Sequence, residues 1–368
     1  MGTAIALLRT GWSVAVLEKH RSVPDAGSGI SLWPNAMRVL DQLGLGDQVR
    51  EVAAPLPARG GLRAPSGRWL KRTNDGDQAL ADVVLLHRGD LHRILLGALP
   101  PGCVKWGVSV EGLEWPKSGR AAVVGRDGSG PVELAADLVV AADGMHSTLR
   151  RRITPDFPDP HYSGFTTWRG ITPSGAVDID DNGETWGRGA KFSYLPLTEG
   201  RVYWFAELPA PRGGKNDDER ALLLRRFTGW HEPIPQLIAA TTAAQIIRTD
   251  VDYLPELPTY VRGRAVLLGD AAHGMPPDLG QGGCQALEDA AVLAAHLARD
   301  ELAAALRAYD EERRPRTQAI AKAARRMGQF SVLSNPAAVL ARNALIRLTP
   351  ARAAAGPLTR ISRWAPPT

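Results

Sequence analysis

The pattern of apolar positions divides the chain into three stretches. In the first, Thr3 to Thr10 carries helical spacing and Gly11 marks a stop. Trp12 to Leu17, WSVAVL, is a short apolar, β-branched run that predicts a strand closed by Glu18. Pro34 to Leu45 returns to helical spacing. Residues 56–84 are rich in Pro, Gly and polar residues and read as irregular or hairpin-like. Asp90 to Leu99 predicts an amphipathic helix. Leu134 to Ala142 predicts a buried strand, followed by a turn and a helix at Ser147.

From about 160 to 260 the period shortens to two. KFSYLPL and RVYWFAEL alternate, and Thr198-Glu199-Gly200 between them is a hairpin signal. After this stretch Ala265 to Leu268 reads as a strand and Gly269 to Gly283 as a glycine-rich loop. Cys284 to Leu297 reads as a helix, and the chain from Leu302 is helical. The order predicts an α/β class, α+β overall: one body of 1–55, 85–157 and 260–330, interrupted by a mostly antiparallel β body of 56–84 and 158–259. Residues 331–368 form a C-terminal helical segment.

Composition narrows the class. The chain has 368 residues, 44% hydrophobic and 23% charged, which excludes a disordered tail, a collagen-like fibre and a coiled coil. No apolar run approaches the roughly 18 residues of a membrane span, and MGTAIALLRTGW is too short for a secretory signal. Two distant cysteines, Cys103 and Cys284, argue against a disulfide scaffold or a zinc site and point to a reducing, cytoplasmic compartment. Net charge is +5, yet residues 313–368 hold 11 Lys and Arg and no acid. The basic segment reads as a solvated helix face folded on an acidic body, not as a nucleic-acid site, because aromatic residues are not interleaved with it.

Three constellations carry chemistry. Glu18 ends a strand after a helix, where a dinucleotide fold holds a ribose; alone, it also reads as a surface acid. Asp143-Gly144 follows an apolar strand and reads either as a ligand-facing strand end or as a turn. GRAVLLGDAAHGMPPDLGQGGCQALEDA is the most specific. Its strand ends in Gly269-Asp270, and ten residues later Gly280-Gln281-Gly282-Gly283 runs into a helix. Glycines admit a flat ligand, and the helix start offers free N–H groups and the positive dipole end. His273 reads best as a hydrogen-bonded structural histidine.

Together these segments, with HRGDL around Arg88, GISLWPNA at 29–36 and YDEERRPR at 309–316, resemble the FAD-dependent aromatic hydroxylases of the p-hydroxybenzoate hydroxylase type. Within that group the chain is most similar to FAD-dependent urate hydroxylase and salicylate hydroxylase-like members. The resemblance implies that Glu18 and Lys19 hold the adenosine ribose. Ser31 and Arg88 contact the cofactor between ribityl and pyrophosphate, and Val110 meets the adenine side. Asp143 supports the pyrophosphate region, and Asp270 binds ribityl or pyrophosphate. Gly280, Gln281, Gly282, Gly283 and Cys284 line the isoalloxazine by backbone groups. No metal is implied.

On the substrate side the resemblance assigns the catalytic positions to Lys191 and Tyr203. The family pattern has arginine at the first, and lysine lacks its planar fork. A surface cation and a sheet-packing aromatic are the plain alternatives; Trp168, Arg169, Trp186, Arg188 and Trp204 are further candidates for the pocket. The implied reaction consumes NADH or NADPH and inserts one oxygen atom of O2 into a small aromatic or heteroaromatic substrate, through a flavin C4a-hydroperoxide. Homodimerisation is a family-level expectation. No GxGxxG occurs in the chain. The expectation is that the first strand and its phosphate loop fall before Met1, so that the dinucleotide unit lacks its first strand and FAD affinity is weak. A flavin-dependent epoxidase or reductase of an isoprenoid or lipid, or an inactive remnant, are the alternative readings.

Overall fold

The computed structural model describes residues 1–23, 28–57, 59–73, 82–116 and 119–367. The opening helix, Gly2–Arg9, buries Ala4, Ile5, Ala6 and Leu7 and packs on the long helix Gly282–Arg299. Gly2 allows that approach, because a Cβ there would stand 3.1 Å from Leu287. The strand after it is only Val16–Glu18. The predicted run from Trp12 is shortened because Gly11 and Thr10 close the helix by bonding back to Leu8 and Leu7, so residues 12–15 serve as the connection.

Val16–Glu18 pairs in parallel with Val104–Trp106. A second parallel ladder joins Val139–Ala141 to Ala265–Leu267, and both of its strands end where a loop begins. The predicted strand at 134–142 is two elements. Leu134 to Ala136 belong to Gly130–Ala136, antiparallel to Ala121–Asp127, and only 139–141 join the parallel ladder. Helices Pro34–Gln42 and Gly46–Val52 replace a single helix to Leu45; Gly44, with φ 71°, separates them. Strands Gly29–Leu32, Val84–His87 and Ala54–Pro55 form a small antiparallel sheet beside them.

The middle of the chain builds a seven-stranded sheet. Its order is Ile247–Tyr253, His161–Ile171, Val202–Pro209, Lys191–Pro196, Gly183–Trp186, Gly61–Arg63 and Trp69–Arg72. The last two strands are the hairpin expected within 56–84; residues 58 and 74–81 lie outside the described residues. Thr198–Gly200 makes the tight connection, with Glu199 at φ 63°.

Alternation gives this sheet two faces. Trp168, Phe192, Tyr194, Trp204 and Ala206 point one way, into a core with Leu223, Phe227, Leu237 and Ile238 from helices Glu219–Arg226 and Ile234–Ala240. Arg169, Lys191, Tyr203, Phe205 and Glu207 share the other face, as the register Arg169↔Phe205, Lys191↔Glu207 and Leu195↔Tyr203 requires. A separate core of the first and last segments includes Leu40, Leu86, Val266, Leu267 and Leu293. The chain closes with helices Leu302–Ser331, Pro336–Leu348 and Ala351–Ser362. No helix among the described residues is long and apolar enough to cross a membrane.

Candidate functional site

The strand Ala265–Leu267 delivers Gly269, φ 61°, and then Asp270 into a loop that returns through Gly280, φ 60°, to the helix Gly282–Arg299. Gly280 has a positive φ and tight surroundings: a Cβ there would lie 3.0 Å from both Ser31 Oγ and Trp33 Nε1. Ser31 and the Gly loop are therefore neighbours. The helix start has no side-chain cap. The N–H of Gln285 bonds the Gln281 carbonyl, so those of Gly282, Gly283 and Cys284, in the first turn, have no intrahelical acceptor. Cys284 itself is buried, which pushes its thiol up to about 12; its Sγ reaches the Gly280 and Ser31 carbonyls.

Two buried donors in this region, Trp33 Nε1 and Gln281 Nε2, have no hydrogen-bond partner among the described residues. Asp270 is exposed, carries no ion pair among the described residues, and its Oδ1 lies 3.8 Å from where a Gly282 Cβ would stand. A helix start with free N–H groups, two orphaned donors and one open carboxylate suits a flat ligand rich in acceptors with a hydroxylated chain. FAD fits that donor set. Asp270→Ala is expected to leave folding stability within about 0.5 kcal/mol. The same change should weaken flavin binding about tenfold or more, as the loss of a charge-assisted contact does. Flavin fluorescence titration of the apoprotein checks this, and an unchanged affinity removes Asp270 from the site.

The other expected cofactor residues are placed as follows. Glu18 accepts from the His20 N–H, and its carbonyl accepts from the Val108 N–H, which brings Val110 alongside; Lys19 is exposed. Arg88 opens the helix Arg88–Gly97, with its N–H on the Ser28 carbonyl. His92 is held below its ordinary range by burial, then by Arg88 and the Met1 amine, while Glu18 opposes. Those charges thus share one neighbourhood. Asp143 differs: its carboxylate already accepts from Ser147 Oγ and the Leu149 N–H, capping the helix Thr148–Ile153.

Lys191 is buried, 1% exposed, and so is not a surface cation. Its Nζ bonds Asp278 of the glycine-rich loop and lies 3.6 Å from Glu207 on the paired strand. Burial alone would lower the Lys191 ammonium; Glu207 and Asp278 outweigh it and hold it above its usual range. Burial pushes Glu207 up to about 7 against the attraction of Lys191, and Glu207 Oε2 is left without a partner. Tyr203 lies over Gly29, where a Cβ would come within 2.6 Å of its ring; burial raises its hydroxyl and Arg169 opposes. Lys191 and Tyr203 do not touch. Phe205 stands between them, 5.9 Å from Lys191 Nζ and 6.3 Å from the Tyr203 ring.

Of the further pocket candidates, Arg169 and Trp186 share the Lys191 face. Trp204 and Trp168 do not: Trp204 stacks on Phe192 and donates to Thr241, and Trp168 donates to Glu219, all on the helix-covered face.

Sequence reasoning missed the support beneath the loop. Arg313 is fully buried and donates to Asp289 Oδ1 at 2.8 Å, to Glu288 Oε2 at 2.5 Å and to Gln285 Oε1 at 2.9 Å. Asp289 also accepts from the Gly269 N–H and pairs with His273. Glu288 is shared with Arg316 and Asn35. YDEERRPR was the available signal, but no role attached to its arginines.

The family described as FAD binding domain matches residues 1–324. The chain belongs to the FAD-dependent aromatic hydroxylase family. It is 38% identical to the Aurachin C monooxygenase/isomerase of Stigmatella aurantiaca over 94% of this chain and 90% of the relative. It is 33% identical to a FAD-dependent urate hydroxylase of Klebsiella pneumoniae over 89% and 86%. Klebsiella pneumoniae HpxO, solved with FAD and uric acid, superposes with a TM-score of 0.89 at 29% identity, covering 98% of this chain and 93% of that one. This FAD-dependent oxidoreductase is an enzyme with the hydroxylase fold.

Proposed function

We propose that this hydroxylase-family protein consumes NADH or NADPH and O2 to insert one oxygen atom into a small aromatic or heteroaromatic ring. One observation carries the reading: Arg169, Tyr203, Phe205 and Lys191 lie on one sheet face that meets the glycine-rich loop at Asp278 and the strand Gly29–Leu32 at Gly29. Phe205 and Tyr203 offer aromatic surface, and Arg169 and Lys191 offer positive charge to a ring that carries or develops an anion. The uric acid bound by HpxO is such a heteroaromatic ring.

In this reading Glu18, Lys19, Ser31, Arg88, Val110, Asp270 and residues 280–284 would hold FAD from its adenosine end to its ring. When bound, FAD would supply the redox chemistry that links the reduced nicotinamide, O2 and the substrate ring, with the second oxygen atom leaving as water. The chain orients the ring and excludes water. Lys191 stabilises the substrate anion, and Tyr203 holds or moves a phenol- or enol-type proton. Asp143 keeps its turn-capping contact and supports the pyrophosphate region from there.

The test starts with the visible spectrum of the purified chain after reconstitution and gel filtration, with the released flavin identified. FAD is expected as the released flavin, at up to about one per chain and below that where weak affinity lets it leave on the column. With FAD supplied in excess, reduced nicotinamide consumption is expected to rise with an aromatic or heteroaromatic substrate. A flavin-loaded chain whose nicotinamide consumption responds to no aromatic in a broad panel would sink the hydroxylase assignment.

A further inference from the structure

A cavity lies on the far face of the seven-stranded sheet. Its volume is about 810 Å³, within the range of small-molecule sites. Trp168, Leu208 and Leu222 give it an apolar wall. Trp168 and Leu208 belong to the helix-covered core, so the sheet itself separates this space from Lys191, Phe205 and Tyr203.

Four cations line the space: Arg188, Lys215, Arg226 and Arg248, with no carboxylate among the lining side chains. The two acids paired with Arg248 are shared with other donors. Glu219 accepts from Trp168 and Asn216, and Asp250 from Gly213 and Thr166. They lie 3.9 and 3.7 Å from Arg248, whose buried Nε makes no hydrogen bond. Among the described residues Arg188 and Arg226 bond only backbone carbonyls, which leave their charge uncompensated. Lys215 is exposed and makes no ion pair among the described residues.

We propose that this cavity binds a small organic anion with an aromatic body. The apolar wall takes the ring, and the cationic rim takes a carboxylate, sulfonate or phosphate. The site is distinct from the hydroxylation site, yet one residue links them: Leu208 lines the cavity and Glu207, its neighbour in the strand, faces Lys191.

The test titrates the FAD-loaded protein with 2-naphthalenesulfonate by calorimetry while the flavin spectrum is followed. The expectation is one site per chain, an unchanged flavin spectrum, and much weaker binding of neutral 2-naphthalenemethanol. Affinity should fall at least about tenfold in the Lys215→Ser/Arg226→Ser double variant, as two lost charge-assisted contacts require. Lys215→Glu, a change at an exposed side chain, should weaken binding in the same direction and guards against misfolding of the double variant. Equal affinity in both variants, absence of binding at millimolar probe, or a flavin spectrum that shifts in step with binding overturns the proposal. The last result would place the probe at the flavin. None of these outcomes touches substrate-stimulated nicotinamide oxidation, which tests the hydroxylase reading separately.

Discussion

Replacing Arg313 by methionine is expected to cost about 3–5 kcal/mol of folding stability, the usual penalty for breaking a buried ion pair from one side. Flavin retention should fall with it. Glu288 and Asp289 are both fully buried, and Arg313 bridges them with its Nε and Nη1. Without it, Arg316 still reaches Glu288 and His273 still reaches Asp289, but the Asp289 oxygen that Arg313 covered has no donor. Asp289 accepts from the Gly269 N–H, so the fault lies directly beneath the loop that carries Asp270.

The pH dependence separates this account from a simple packing loss. Burial pushes Asp289 up, but His273 and then Arg313 outweigh it and hold the carboxyl at about 2, below its ordinary 3.8. A depressed carboxyl adds stability above its unfolded value and loses it as pH falls towards 2. In Arg313→Met the Asp289 carboxyl rises, so the variant loses less on acidification. The stability gap should therefore be widest near neutrality and narrow below pH ~4. Urea unfolding of both proteins at several pH values, with flavin absorbance recorded, reads this out. A gap that does not change with pH would mean that Arg313 contributes shape and not charge.

Much of the structure around the candidate cofactor loop was legible in the sequence, for local reasons. The strand 265–267, the Gly269-Asp270 turn and the Gly280–Cys284 helix start are contiguous, and glycines at positive φ announce themselves. The supporting layer was not legible because its charges look solvated. Arg313 sits in a charged helical run, and only the fold shows that its face turns inward onto Glu288 and Asp289. Lys191 is a harder case. Asp278 is 87 positions away and arrives with another sheet's loop, so nothing near Lys191 in sequence marks it as buried. Trp168 and Trp204 went astray for a different reason. In a strand, neighbours face opposite ways, so an aromatic-rich run tells how much surface is covered but not by what. Register puts Arg169 and Tyr203 on the Lys191 face and the two tryptophans under helices.

Lys191→Met carries the second large effect. The substrate-stimulated kcat/KM is expected to fall about thirtyfold or more, the size of a lost charge-assisted contact of about 2 kcal/mol. Stability should fall as well, by about 3–5 kcal/mol at pH 8, because Asp278 and Glu207 then face each other without a cation. Glu207 sets the sign of the pH dependence. Burial has already raised it to about 7 against the pull of Lys191. A raised carboxyl favours the protonated form, so its contribution is complete below the unfolded value and is lost as pH rises through the folded one. Removing Lys191 raises Glu207 further, and the variant should be weakest above pH ~8 and recover towards pH 6. Adding Glu207→Gln removes the titrating group: the double variant should regain stability at pH 8 and lose most of the pH dependence, while activity stays low. Recovery of activity in the double variant would show that Lys191 acts by holding Glu207 and Asp278 in place. Persistent loss, with stability restored, places its charge on the substrate. The two substitutions thus separate an ammonium kept for the fold from one kept for the reaction, at a position where burial alone gives no answer.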